Sequence, residues 1–387
     1  MHVCMVAYSF FEADTRVMMY VNALRSRGDK VEVISLRPPG LPEEEIINGV
    51  HVCRIQERSY NEKGIFSYLY PLGAFFLRSS IKLMRLHAKR PYDLIHVHSV
   101  PDFEVFAAWY PRLKGSKVIL DIHDIVPELY AAKFGARKES LLFKMLTLVE
   151  KVSTAYADHV IIANHLWEKT IRRSVNGRKC SVFLNYPDAS IFQQQEKVRT
   201  DGKFIMIYPG TLNWHQGLDI AIRAFERIKN QIPSAEFHIY GIGGAKESLE
   251  KLIEEKGLQE RVLMKGFLSV EKMAKIMAEA DLGIVPKRND SFGGEAFSTK
   301  TLEFMSLGVP IILSRTKIDN YYFNDNIVQF FTPEDDQDLA EKMLLLIKNK
   351  AMRDRISKNA ETFVTDYSWE KKKDEYLKLV DSLVAGS

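Results

Sequence analysis

The sequence predicts an α/β protein built as two doubly wound domains, each a parallel sheet with helices on both faces. Three observations lead there. Short Val- and Ile-rich runs alternate with helix-like segments from one end to the other. That rhythm stops once, over the polar stretch from Asp188 to Gly202, and then restarts. The chain has 387 residues, 46% hydrophobic and 27% charged, enough to bury two cores.

In the first half the strand-like runs are His2 to Ser9, Lys30 to Leu36, Asp93 to Ser99, Lys117 to Asp124, His159 to Asn164 and Cys180 to Asn185. The second half repeats the pattern with Phe204 to Gly210, Ala235 to Gly241, Arg261 to Gly266, Asp281 to Pro286, Val309 to Ser314 and Ile327 to Phe331. We therefore place a first domain over 1–190, a second over 200–365 and a terminal helix over 366–387. A ligand cleft is expected between the domains, at the carboxyl ends of the strands.

Composition removes several function classes. Lys plus Arg is 54 and Asp plus Glu is 50, a net charge of +4, too balanced for a dedicated nucleic-acid binder. Cys4, Cys53 and Cys180 are odd in number and far apart, each in an apolar run, and read as reduced core residues of a cytoplasmic protein. The N-terminus has no basic region followed by an apolar stretch and small-residue cleavage site, so no secretion is expected. The most apolar window, Tyr68 to Leu77, is broken by Pro71 and Gly73 and is half the ~20 residues a spanning helix needs.

Charge is uneven along the chain. Residues 1–190 carry 26 basic and 20 acidic side chains, and Lys63 to Arg90 contains six basic residues and no acidic one. Within it Arg78, Lys82, Arg85 and Lys89 step at helical spacing beside Leu77, Ile81, Met84 and Ala88. Two readings stand here: a helix packed on the sheet with a solvated basic flank, or a patch for an anionic membrane surface. The upstream aromatics Phe66, Tyr68, Tyr70, Phe75 and Phe76 suit the second.

The chemistry concentrates in Val285 to Ser314, which reads as strand, Gly-rich loop, helix, Gly stop and strand. Ser298 or Thr299 suits an N-cap and Gly308 the stop before Pro310. A helix start after Gly293 and Gly294 presents unpaired N–H groups to a phosphate, and Lys300 in the first turn adds a point charge. Glu295 and Glu303, eight positions apart, can accept hydrogen bonds from hydroxyls. An anion flanked by hydroxyls is what a sugar nucleotide offers. The plainer alternative is that these residues only serve the helix dipole and the solvent.

This segment resembles the paired-carboxylate signature of the GT4 family of retaining glycosyltransferases, which have the two-domain GT-B fold. The resemblance runs through nearly the whole chain: Ala13 to Ser35, Leu120 to Tyr130, Tyr208 to Phe225, Ile239 to Phe267 and Asp366 to Leu383 each match a recurring stretch in the right order. It implies two Rossmann-like domains facing across a cleft, with a C-terminal helix that crosses back to the first. It further implies that Glu303 holds the ribose hydroxyls and Glu295 contacts the donor sugar near the reacting carbon. Backbone around Phe297, Ser298 and Thr299 would meet the diphosphate, Gly210, Gly241 and Gly243 would admit the nucleotide closely, and Phe267 and Leu268 would lie near the base. His123 would contact the donor sugar from the first domain, with Asp124 and Glu128 of the same stretch on the acceptor side.

Two departures from the family pattern matter. Where many relatives carry Arg and Lys in the loop opening the second domain, this chain has Thr211 and Gln216, which leaves Lys300, Arg288 or Lys287 to neutralise the diphosphate. The family's Gly-Gly loop after the first strand is replaced by Ser9 to Val17, leaving Asp14 and Arg16 as candidates to shape the acceptor pocket, Asp14 alternatively as a helix cap.

The resemblance implies retention by attack of an acceptor hydroxyl on the face from which the diphosphate leaves. No metal and no cofactor is expected, the nucleotide sugar being a substrate. Asp336 and Asp338 read as helix-start residues, and His96 and His98 lack a carboxylate nearby in sequence to complete a ligand set. The acceptor expected is a glycan or lipid-linked glycan of surface-polysaccharide synthesis, met in the cytoplasm or at the inner membrane face. Two rivals remain: an NAD-dependent oxidoreductase, disfavoured because no full G-x-G-x-x-G follows the first strand, and a two-lobed solute-binding protein.

Overall fold

A computed structural model describes residues 1–58, 65–127, 140–171, 179–290 and 293–386, with backbone alone at 65–68 and 169–170. Glu128, Lys63 and the side chains of Phe66 and Tyr68 therefore lie outside the described residues. The chain divides into two compact units, Met1–Asn185 with Glu370–Ser387, and Tyr186–Trp369.

The first unit is an eight-stranded sheet. Its strands are β1 (His2–Ala7), β2 (Lys30–Arg37), β3 (Glu44–Ile47), β4 (Val50–Glu57), β5 (Leu94–His98), β6 (Lys117–Ile122), β7 (His159–Ile162) and β8 (Cys180–Val182), in the order β3-β4-β2-β1-β5-β6-β7-β8. Every pairing is parallel except β3 with β4. All six residues of β1 are buried, as a central strand covered on both faces requires. β3 and β4 form a hairpin that the alternation did not predict. Ile47 faces Val50, and the two turn residues Asn48 and Gly49 have φ of 48° and 78°. That is the left-handed pair that a two-residue hairpin needs.

The terminal helix Trp369–Ala385 joins this first unit. Its Tyr376 is fully buried, 4.5 Å from the Tyr20 ring, and its hydroxyl lies 3.0 Å from His96 Nδ1. Arg27 also reaches Asp381 at 2.7 Å.

The helix Ile65–Lys89 corrects the sequence reading of its apolar stripe. Leu72, Phe75, Ser79, Leu83 and His87 face inward, whereas Leu77, Ile81 and Ala88 are exposed. Cys4 and Cys53 are buried free thiols and Cys180 is partly exposed. Burial pushes the Cys53 thiol up to about 11, away from the reactive thiolate. No helix among the described residues is long and apolar enough to cross a membrane.

The second unit holds β9 (Phe204–Pro209), β10 (Ala235–Tyr240), β11 (Val262–Met264), β12 (Leu282–Val285), β13 (Ile311–Ser314) and β14 (Gln329–Phe331). Their order is β11-β10-β9-β12-β13-β14, all parallel. From β9 the chain moves outward through β10 and β11, then returns to place β12 on the other side of β9. The carboxyl ends of β9 and β12 thus flank a topological switch point, where a doubly wound sheet leaves an open crevice. Asp335 caps the helix Asp336–Lys348, Asp336 pairs with Arg227 at 2.9 Å and Asp338 accepts from the Thr332 amide at 2.7 Å. The Asp336 and Asp338 side chains are thereby engaged as helix-start groups.

Candidate functional site

A pocket of about 450 Å³ opens at that switch point. Gly210 and Thr211 follow β9; Tyr240, Gly241 and Ile242 end β10; Phe267 and Leu268 follow β11; Thr299, Lys300 and Glu303 come from the helix Thr299–Ser306. Phe192, Val270, Met273 and Met277 complete an apolar wall that the sequence did not single out. The glycines are set by crowding. A Cβ on Gly241, whose φ is 142°, would lie 1.7 Å from the Gly210 carbonyl oxygen, and one on Gly210 would meet the Lys300 stem at 2.3 Å. Gly243 packs its backbone on Leu212 and does not line the pocket.

The loop before the helix is pinned from beneath. Lys287 Nζ donates to the Ala296 carbonyl and pairs with Asp319, each at 2.8 Å. The Ile318 amide donates to the Gly294 carbonyl at 2.9 Å, and Phe297 packs edge-on against Tyr322 at 5.0 Å. A Cβ on Gly293 would meet the Arg288 carbonyl at 2.6 Å, so the Gly-Gly pair lets the loop close on itself. Glu295 is held in an ion pair with Lys317.

Three basic residues were open to neutralise a diphosphate, and their surroundings separate them. Arg288 is 8% exposed, stacks 4.1 Å over Trp214 and binds Asp219 through two contacts of 2.7 and 2.8 Å. Its charge serves the packing of this loop, and it lies outside the pocket; Lys287 is committed to Asp319 in the same way. Lys300 lines the pocket, its ammonium 5.3 Å over the Tyr208 ring, and burial pushes it down to about 8. Burial pushes Glu303, one helical turn on, up to about 7, against the opposing pull of Lys300 and the Thr299 hydroxyl. Ser298 occupies the N-cap position, but its hydroxyl makes no cap bond; Ser298 Oγ and Thr301 Oγ1 are buried without a partner. Gln216 sits in the short turn Trp214–Gln216, outside the pocket, with Oε1 also buried and unpartnered.

The first unit gathers a different cluster at the carboxyl ends of β5 and β6. Register places His98 beside Asp121, although 23 positions separate them in sequence. This corrects the expectation that no carboxylate approaches the histidine pair. Arg16 donates to both Asp121 oxygens at 2.6 and 2.8 Å, and His98 Nδ1 and His123 Nε2 each lie 3.1 Å from Oδ2. Burial alone would raise this carboxylate, but Arg16 and His123 hold it well below the usual range. Burial keeps His96 and His98 neutral, stacked with centroids 4.3 Å apart and both Nε2 atoms without a partner. His96, His98 and Asp121 are close enough to share a cation, but the Arg16 guanidinium already occupies both carboxylate oxygens.

Arg16, 4% exposed, also donates to the Phe183 and Leu184 carbonyls, so it braces the β8 exit within the interior. Asp14 caps the helix Thr15–Ser26 by accepting from the Val17 amide at 3.1 Å, and takes the Ser9 hydroxyl. His123 keeps part of its ring exposed, and burial raises the neighbouring Asp124 carboxyl.

Residues 190–363 match the family described as "Glycosyl transferases group 1", and residues 13–188 match "Glycosyltransferase Family 4". The chain is 23% identical over 369 residues to the alpha-D-kanosaminyltransferase of Streptomyces kanamyceticus, covering 89% of this chain and 92% of that one. It is 24% identical to the Escherichia coli protein named "Putative colanic acid biosynthesis glycosyl transferase WcaI", over 62% of this chain and 64% of that one. Among solved structures it superposes on sucrose-phosphate synthase from Thermosynechococcus elongatus with a TM-score of 0.81, at 18% identity over the full length of both chains. It superposes on Anabaena HepE in complex with UDP-glucose with a TM-score of 0.72, at 16% identity over 99% of this chain and 100% of that one. Neither an oxidoreductase nor a solute-binding protein is supported by these likenesses. The chain belongs to the GT4 family of glycosyltransferases and has the GT-B fold.

Proposed function

We propose that this enzyme transfers a sugar, with retention, from a UDP- or GDP-linked donor to a glycan or lipid-linked glycan acceptor in surface-polysaccharide synthesis. The observation that carries the donor site is the state of the Ser298–Glu303 segment: Lys300 and the start of the helix at Thr299 line a pocket with a single carboxylate, Glu303, and the adjoining Ser298 hydroxyl is buried without a partner. A nucleoside diphosphate supplies what each lacks. Its diphosphate oxygens accept from Lys300, Ser298 and the amides at the helix start, its ribose hydroxyls donate to Glu303, and its base lies against Phe267, Leu268 and Ile242. The UDP-glucose complex of HepE and the colanic acid assignment of WcaI support the donor and acceptor classes.

In the transfer, the bond from the anomeric carbon to the diphosphate oxygen breaks as the acceptor hydroxyl attacks from that same face. The hydroxyl's proton passes to the departing phosphate oxygen. Positive charge fixed at Lys300 and the helix start stabilises the negative charge developing there, without a metal. Glu295, steadied by Lys317, is assigned to the donor sugar beside the reacting carbon, and His123, oriented by Asp121, keeps the donor-sugar role the family pattern gives it. Phe297, packed on Tyr322, keeps only its backbone in the diphosphate role.

Mass spectrometry of products from a panel of UDP- and GDP-sugars with lipid-linked glycan acceptors tests this reading. An α-configured product from an α-linked donor, formed at an undiminished rate in EDTA, is expected. An inverted product, or activity abolished by EDTA and restored by a divalent cation, contradicts it.

A further inference from the structure

The hairpin at the edge of the first sheet carries a third cluster of ionisable side chains. Its register sets Glu44 opposite Cys53 and Ile46 opposite His51. Directly opposed residues of an antiparallel pair share a face, as do alternate residues along one strand. Glu44, His51 and Cys53 therefore project to one side, where Lys82 of the helix Ile65–Lys89 meets them. Their donor atoms converge. His51 Nε2 lies 3.3 Å from Glu44 Oε2, Cys53 Sγ lies 3.8 Å from either ring nitrogen of His51, and one donor atom from each residue falls within 4.8 Å of the other two. Ligands at the corners of a tetrahedron around zinc stand about 3.4 Å apart for nitrogen and oxygen and about 3.6 Å apart for nitrogen and sulfur. Because the sulfur is equally far from both ring nitrogens, a turn of the partly exposed imidazole about its Cβ–Cγ bond aims Nε2 at the shared point.

Glu44 differs from Asp121, whose two oxygens are both taken by Arg16. Lys82 Nζ donates to Glu44 Oε1, which leaves Oε2 to a metal and orients the carboxylate as an outer-shell partner does. Glu44, Cys53 and Lys82 also line a cavity of about 350 Å³ with Glu43, Arg78 and Arg85, so the cluster has an entry path and room for a water as fourth ligand. Arg78 and Arg85 stand at exposed positions where solvent and salt screen them, and Arg54 behind the cavity is already paired with Glu12 and Glu45.

We propose that Glu44, His51 and Cys53 form a zinc site that clips β3 to β4. A thiolate with an imidazole and one carboxylate favours a borderline-soft ion over magnesium or calcium. Binding breaks the S–H bond of Cys53, releases that proton to solvent and forms the Zn–S bond; coordination ionises the thiol even where burial alone would keep it protonated. β3 gains most from the ion. Its four residues are exposed or half-exposed, so little packing holds this edge strand in register. The zinc is structural: β2, β1 and β5 separate its site from the Asp121 cluster on β6, and sugar transfer does not need it.

Titration of the full metal-free chain with Co²⁺, a spectroscopic stand-in for zinc, reads the site directly. Stoichiometric uptake should bring the near-ultraviolet charge-transfer band of a cobalt thiolate, and Zn²⁺ should displace it. Cys53→Ser should abolish the band, Cys180→Ser should keep it, and His51→Ala should weaken binding by at least about tenfold. Zn²⁺ should raise the melting temperature of the wild type but not of His51→Ala, and slow hydrogen exchange at the β3 amides. His51→Ala changes a partly exposed side chain, so in EDTA it should melt with the wild type, which separates lost binding from lost folding. Absence of the thiolate band, a band that survives Cys53→Ser, or equal Co²⁺ affinity in His51→Ala overturns the proposal. So does uptake without that band, which would place the ion at His96, His98 and Asp121 instead. Sugar-nucleotide turnover in EDTA should be the same in every variant, and its absence in the wild type would remove the proposed function while leaving the zinc site standing.

Discussion

The charged cluster of the first unit and the pocket of the second are built from similar groups in opposite states. Around Asp121 the charge is satisfied: Arg16 takes both oxygens, two histidines add to one of them, and the carboxylate is held well below its usual range. In the pocket burial dominates over pairing. Glu303 is pushed up and Lys300 down, and the Ser298 hydroxyl just before this helix has no partner. The Asp121 carboxylate is satisfied without a ligand, as a structural ion pair must be, although the His96 and His98 Nε2 atoms beside it are buried without a partner. The second carries desolvation cost that a bound anion with hydroxyls would relieve, as expected of a binding site.

Mutations break this contrast most visibly in the first unit. Arg16→Met leaves Asp121 charged, buried and without its main partner, and should lower unfolding free energy by about 3–5 kcal/mol in urea titration. Adding Asp121→Leu should restore a large part of that loss, because no charge then remains to be solvated. If Arg16→Met costs nothing, the cluster is not the structural element described here.

In the second unit the same kind of change should leave stability nearly intact and reduce binding. Glu303→Gln removes a carboxylate that burial disfavours, so the melting temperature should hold or rise. Affinity for a UDP- or GDP-sugar in calorimetry should fall by about ten- to a hundredfold, the value of hydrogen bonds to a charged acceptor. A stability loss without an affinity loss would give Glu303 a packing role.

The smallest effect expected is on pH dependence. Donor binding should weaken as pH falls through about 7, where Glu303 takes up a proton, and as pH rises through about 8, where Lys300 loses one. A sugar-nucleotide probe does not itself titrate across that window, so the limbs report the protein. Glu303→Gln should remove the acidic limb alone, and a profile unchanged by that substitution would separate Glu303 from donor recognition.

How far the sequence could be read depends on whether a feature is local. The strands were legible because Val- and Ile-rich runs mark segments buried on both faces. β3 and β4 were not, since β3 is an edge strand with Glu44 and Glu45 exposed, although Asn48-Gly49 was a hairpin signal in plain view. Lys300 and Glu303 stand one helical turn apart, so spacing set them on one side of one helix, and the family resemblance turned that side into a donor site. Arg288 stood among the candidates as the weakest of the three, and nothing nearby in sequence shows that Asp219, 69 positions away, has taken its charge. The meeting of His98 with Asp121 depends on strand register, which spacing along one strand cannot reveal. The apolar wall of Val270, Met273 and Met277 has the spacing of any helix packed on a sheet. Only the strand order places that helix beside the switch point.

The central claim is that the helix Thr299–Ser306 receives the donor's diphosphate. A crystal structure of the enzyme with UDP or GDP tests it most directly. The account predicts phosphate oxygens within hydrogen-bonding distance of the Ser298–Lys300 segment and ribose hydroxyls on Glu303. A nucleotide bound in another crevice, with Lys300 and Glu303 contacting only each other and water, would contradict it.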